Sequence, residues 1–133
     1  MTIRYKRPDH KNALSLLNAA ALNMKFTLTI PVSEQAGVTI VRNIYESFRM
    51  LGDALLLTKG IEADDHVAPL KELLTLRVDT TRPISLLDNL RRLRHNVNYY
   101  GYIPNVAEVD DIVSIAKSCF EPLHLAVLEK VSQ

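Results

Sequence analysis

The residues that build the most easily recognised sites are scarce in this chain. It has one cysteine, Cys119, which excludes an internal disulfide and any cysteine-ligated zinc cluster. Cys119 falls on an apolar helical face, where a buried, inert thiol is expected. The four glycines are scattered at 37, 52, 60 and 101, so neither a glycine-rich phosphate loop nor a dinucleotide-binding turn can form. His10, His66, His95 and His124 show no i, i+4 ligand spacing of the kind a zinc hydrolase uses, so no metal and no cofactor is expected. A formal net charge of +1 exerts no general pull toward nucleic acid or membrane, so any anion binding must come from a local cluster such as 91–95. The first ten residues carry Arg4, Lys6, Arg7 and Asp9, and no signal-length or membrane-length apolar run follows. A cytoplasmic, non-membrane protein is expected, and 133 residues suit a single domain over 1–133.

What fills the chain is helical periodicity. Strand-like alternation is confined to short pieces such as 24–30, which reads as the end of a helix. Asp9 is a good N-cap for a first helix carrying Ala13, Leu17, Ala20, Met24 and Leu28, with Pro31 as its stop. Ser33 is expected to cap a second helix with Val41, Ile44, Tyr45, Phe48, Leu51 and Leu55 on one stripe, ended by Lys59 and Gly60. That span is about 26 residues, or roughly 39 Å. Gly37 and Gly52 lie inside it, and each weakens it by about 1 kcal/mol relative to alanine unless another helix approaches closely there.

A short helix is expected from His66 or Pro69 to Leu76, with Leu70, Leu73 and Leu74 inward, followed by a loop over 78–83. Asp64-Asp65-His66 and Asp110-Asp111 lie near expected helix starts, where carboxylates favour the helix dipole. Ser85 and Asp88 resemble a capping box that opens a fourth helix, and Gly101 with Pro104 stops it. The last helix begins at 106–108 and carries Ile112, Ile115, Cys119, Leu123 and Val127. Pro122 predicts a kink or break near 118–121. The expected fold is all-α, an antiparallel up-and-down bundle of about five helices, four of them sharing a core.

The densest chemistry lies in Leu90 to Tyr102, where three arginines, a histidine, two asparagines and three tyrosines surround a thin apolar stripe. At about 100° per residue, Leu86, Leu90, Leu93, Val97 and Tyr100 share the core face. Arg94 and Asn98 flank it with Arg91 just beyond, while His95 and Tyr99 form a second i, i+4 pair further round. A guanidinium fixed at a groove edge, with amide, imidazole and phenol groups one turn away, holds a phosphate or carboxylate by directed hydrogen bonds. The plainer alternative is a solvated arginine face above a core tyrosine. Arg92 and Tyr99 face away from the stripe, a composition suited to an interface between two copies.

With its helix order, this segment resembles the signature region of the HEPN family, the higher eukaryote and prokaryote nucleotide-binding domains. The similarity spans nearly the whole chain: an amphipathic first helix, a long second helix with Tyr45 and Ala54-Leu55-Leu56 before Gly60, a short helix, an arginine-containing helix and a long last helix. The family motif is an arginine followed by a polar residue, with a histidine or tyrosine about five residues on. Here Arg94, His95 and Tyr99 occupy those places, followed by Tyr100-Gly101. In ribonuclease members, the resemblance implies, two subunits face their motif helices across a composite, metal-independent site. There the histidine moves protons and the arginine stabilises charge on phosphorus. This chain departs from that pattern by carrying Tyr99 in the histidine position. A phenol ordinarily titrates near ~10 and is a poor base at neutral pH, whereas an imidazole such as that of His95 has the right range of about 6.5.

Two functions follow from the resemblance. In one, the domain is a homodimer that binds a nucleotide or RNA phosphate, or docks a small nucleotidyltransferase, as in toxin-antitoxin or defence systems; Arg91, Asn98, Tyr100 and Tyr102 are its candidate ligand-binding residues. In some such systems a motif tyrosine accepts a nucleotide, which points to Tyr99, Tyr100 and Tyr102. In the other, the domain is a metal-independent ribonuclease toxin whose candidate catalytic residues are Arg94, His95 and Tyr99. A purely structural bundle is the third reading.

Overall fold

The computed structural model of the protein describes residues 3–65 and 67–133; His66, one of the two expected starts of the short helix, lies outside the described residues. In chain order, strand β1 (Ile3–Tyr5) precedes helices α1 (His10–Thr27) and α2 (Gly37–Thr58). Strand β2 (Ile61–Ala63), helix α3 (Val67–Leu73), a 3₁₀ turn at Ile84–Leu86, and helices α4 (Leu87–Tyr100) and α5 (Val106–Val131) follow. The two strands were not expected. They pair antiparallel with Ile3 opposite Ala63, Arg4 opposite Glu62 and Tyr5 opposite Ile61, which sets opposite charges across the ladder. Three-residue strands are too short to imprint a period of two on the sequence.

Cross-helix contacts fix the direction of each long helix. His10 Nδ1 lies 2.8 Å from the carbonyl of Val131, and His124 Nε2 lies 3.2 Å from that of Leu17, so α1 and α5 run antiparallel. The Asp9 N–H donates to the Leu57 carbonyl at 2.9 Å, and the Asn23 amide donates to the Asn43 carbonyl and to the Ser47 hydroxyl, which makes α1 and α2 antiparallel. Gly37 lies beside Val109, and Phe48 meets Phe120 edge-on with ring centroids 5.5 Å apart; α2 and α5 therefore run parallel. With Arg42 beside Asn98 and Tyr45 beside Arg94, α4 runs antiparallel to α2, and the four long helices form an up-and-down bundle with α2 and α5 as a same-direction pair. No helix among the described residues is long and apolar enough to cross a membrane.

The core stripes expected on α1, α2 and α5 are buried, apart from Leu28, the C-cap residue just past α1, which is half-buried. Asp9 caps α1 by accepting from the Asn12 N–H at 3.0 Å. Helix α2 has 22 residues and starts later than expected, because Ser33 closes a separate turn by accepting from the Ala36 N–H. The close approach required at Gly52 is present. A β-carbon there would stand 2.2 Å from the Pro69 carbonyl oxygen, so α3 seats its backbone directly on α2. Leu70 and Leu73 are buried, but Leu74, expected inward, is exposed at the end of α3, where its N–H still bonds the Leu70 carbonyl at 3.1 Å.

Two further expectations need correction. Ser85 and Asp88 do not form a capping box: α4 opens without a side-chain cap, and the preceding 3₁₀ turn supplies the acceptors instead, its Pro83 carbonyl taking the Leu86 N–H and its Ile84 and Ser85 carbonyls the Leu87 N–H. The genuine capping box belongs to α5, where Asn105 and Glu108 bond each other's backbone N–H groups at 2.8 and 3.0 Å. Of the kink or break expected at Pro122, the break does not occur, since α5 is continuous from Val106 to Val131. Cys119, Phe120 and Leu123 flank the proline and are all buried, so both halves are held to one seam at the cost of a single missing backbone donor.

Candidate functional site

Helix α4 carries its chemistry because so little of it is buried. Only Leu87, Leu90 and Val97 are enclosed, while Leu86 and Leu93 are half-buried, which leaves most of its circumference polar. Tyr100, expected on the core stripe, is 75% exposed. The apolar support beneath α4 ends at Val97, and one residue after Tyr100 the chain turns at Gly101, whose φ of +63° only glycine adopts readily. The Tyr102 N–H returns to the Asn96 carbonyl at 3.2 Å and closes that turn.

Four of the seven candidate residues converge. Arg91, Arg94, His95 and Tyr99 line a cleft of about 420 Å³, joined by Tyr45 from α2, Asp64 and Asp65 after β2, and Val67 at the start of α3. The Arg94 guanidinium carbon sits 5.0 Å from the centroid of the Tyr45 ring, a cation–π arrangement worth about 1 kcal/mol that also fixes where the charge points. The Tyr45 ring is buried, and burial pushes its phenol up to about 12 against the opposing pull of the Arg94, Arg49 and Arg91 charges. Tyr45 therefore offers Arg94 a neutral aromatic face and is no base at neutral pH. Arg91 is steadied by Asp88, whose carboxylate accepts from its Nε at 2.9 Å. The His95 and Tyr99 rings stack at a tilt with centroids 4.6 Å apart, as their i, i+4 spacing predicts.

The other three candidates lie elsewhere. The Asn98 side-chain oxygen accepts from Arg42 Nε at 2.8 Å, which ties α4 to α2 outside the cleft. Tyr100 lies edge-on to His95 with centroids 5.7 Å apart but does not line the cleft. The Tyr102 hydroxyl donates to Glu108 Oε1 at 2.5 Å, which raises its pKa and makes it a brace for the α5 cap. Arg92 is exposed and pairs with Asp88 and Asn89 on the outer face.

Tyr45, Asp64 and Asp65 belong to the cleft although the sequence assigned them other work. Tyr45 reads as a core residue, which it is; its second role as a floor for Arg94 depends on how α4 crosses α2. Asp65 caps α3 as expected, accepting from the Val67 and Ala68 N–H groups at 3.0 and 2.9 Å, and the same loop brings Asp64 to the cleft that the arginines line. Among the described residues no group of three or more His, Cys, Asp or Glu side chains is arranged to hold a metal ion. Comparison of the chain with family models, curated proteins and solved structures finds no match. Fold and site together define a five-helix bundle with a polar cleft on its least buried helix.

Proposed function

We propose that this chain is a HEPN-like helical domain whose α4 cleft binds a nucleotide or RNA phosphate. The supporting observation is the placement of Arg94: its guanidinium rests on a buried aromatic ring at the margin of the core, beside Arg91 and the stacked His95–Tyr99 pair. A charge restrained in this way forms directed hydrogen bonds to phosphate oxygens with less loss of side-chain freedom than a solvated arginine. The stacked rings provide a surface for a base. Arg94→Ala should lower affinity for single-stranded RNA at least tenfold, whereas Arg92→Ala, on the outer face, should change it less than about threefold. Fluorescence anisotropy with labelled RNA reads both, and equal effects would reject the cleft as the binding site.

The domain acts in this reading as a homodimer. Tyr99 of the cleft and Tyr100, Ile103 and Val106 after it in the chain are exposed, with the aromatic content of an interface. Light scattering should report twice the 15.0 kDa chain mass at micromolar concentration. A small nucleotidyltransferase docking on the same surface is the other partner this reading admits.

A second reading is supported by His95 sharing the cleft with Arg94, although adjacent helical residues project about 100° apart. It makes the domain a metal-independent ribonuclease, with His95 moving protons, Arg94 stabilising charge on phosphorus and Tyr99 donating a hydrogen bond. Cleavage of mixed RNA in EDTA that disappears in both Arg94→Ala and His95→Ala would establish turnover. Intact RNA with Arg94-dependent binding would assign the binding role.

A further inference from the structure

The cleft walls carry opposite charges. Arg91 and Arg94 stand on α4, Asp64 and Asp65 on the loop before α3, and Arg91 is already paired with Asp88. Two arginines against three aspartates leave a local balance of about −1, which disfavours a triphosphate with about four charges far more than a phosphodiester with one. The His95–Tyr99 ring pair lines the same cleft from the α4 side, with Tyr99 65% exposed. Asp65 is half-buried with its Oδ1 committed to the α3 backbone, so the exposed Asp64 is the carboxylate better placed to meet a ligand with both oxygens.

A base stacked beside Arg94 would present its Watson–Crick edge toward that carboxylate, as bases of single-stranded RNA are commonly read. Guanine carries two adjacent donors there, the ring N1–H and the exocyclic amino group, which match the two oxygens of a carboxylate. Adenine and cytosine offer an amino group next to an acceptor, and uracil presents a single N–H between two carbonyls. Resting on the binding role argued above, we infer that the cleft selects a guanine nucleotide within a single RNA strand, with the phosphodiester on Arg94, the base on His95 and Tyr99, and Asp64 as the specificity-determining residue.

The test is a comparison of r(UUGUU), r(UUAUU), r(UUUUU) and GTP on the intact protein, with Asp64→Asn and Arg94→Ala alongside. The expected result is about tenfold tighter binding of r(UUGUU) than of r(UUUUU), with r(UUAUU) and GTP both weaker than r(UUGUU). Asp64→Asn should erase the guanine preference and leave r(UUUUU) binding the same or slightly stronger, since a carboxylate that repels phosphate is gone. Asp64 is exposed, so this variant should fold, and an unchanged circular dichroism spectrum verifies it. Equal binding of r(UUGUU) and r(UUUUU), or a preference that survives Asp64→Asn, overturns the inference while Arg94-dependent binding still upholds the broader role. RNA binding that is absent or indifferent to Arg94→Ala overturns both.

Discussion

Helix α2 buries thirteen of its 22 residues, whereas α4 buries three of its 14, although the two lie side by side. The first is wrapped by α1, α3, α4 and α5, so nearly every turn contributes to the core. The second touches that core along a single thin line and spends its remaining surface on charged and aromatic groups. Stability and candidate chemistry are thereby assigned to different helices, and Tyr45 and Arg94 are the point at which they meet. A residue changed on α2 should alter folding, and one changed on the polar face of α4 should alter binding with little effect on folding.

The sharpest way to break that division is Phe48→Ala. Phe48 is fully buried against Phe120, and its loss should cost about 3–5 kcal/mol in urea unfolding; a cost below about 1 kcal/mol would mean that α2 is not the structural centre. Gly52→Ala comes next. Helix propensity alone favours alanine by about 1 kcal/mol, but its β-carbon would strike the Pro69 backbone, so the net effect should be destabilising by about 1–3 kcal/mol. A variant that melts higher than the parent would show that α3 does not rest on that glycine.

A smaller effect is expected at Asp53. Burial pushes its carboxyl up to about 6 despite the Arg49 guanidinium that pairs with it. A folded-state pKa above the unfolded value of 3.8 means that the folded protein holds this proton more tightly. The associated stability is complete below pH 3.8 and is lost as the pH rises through about 6. Asp53→Asn should remove that dependence, on the order of 2 kcal/mol between pH 4 and 7, the Arg49 attraction being already contained in the raised value. Parallel stability–pH curves for the two proteins would refute it. The smallest change in folding belongs to Arg94→Ala, expected to cost about 1 kcal/mol or less while abolishing most RNA binding; a large loss of stability would make Arg94 a structural residue.

The sequence alone specified the helices and their buried faces. Ala13, Leu17, Ala20 and Met24 on α1, the Val41-to-Leu55 stripe on α2 and the Ile112-to-Val127 stripe on α5 are all enclosed as their spacing requires, because period and polarity are local properties of the chain. It also marked the stacked His95–Tyr99 pair and the need for a close neighbour at Gly52. Apart from the break it offered at Pro122 inside α5, its misses lie where an element ends or meets another: the short β1–β2 ladder, the 3₁₀ entry to α4 and the exposure of Tyr100. Tertiary structure alone decided that Tyr45 supports Arg94, that Asp64 shares a cleft with the arginines and that Asn98 and Tyr102 are drawn off to Arg42 and Glu108. Those partners are as many as 56 residues apart, and no local period encodes the angle at which one helix crosses another.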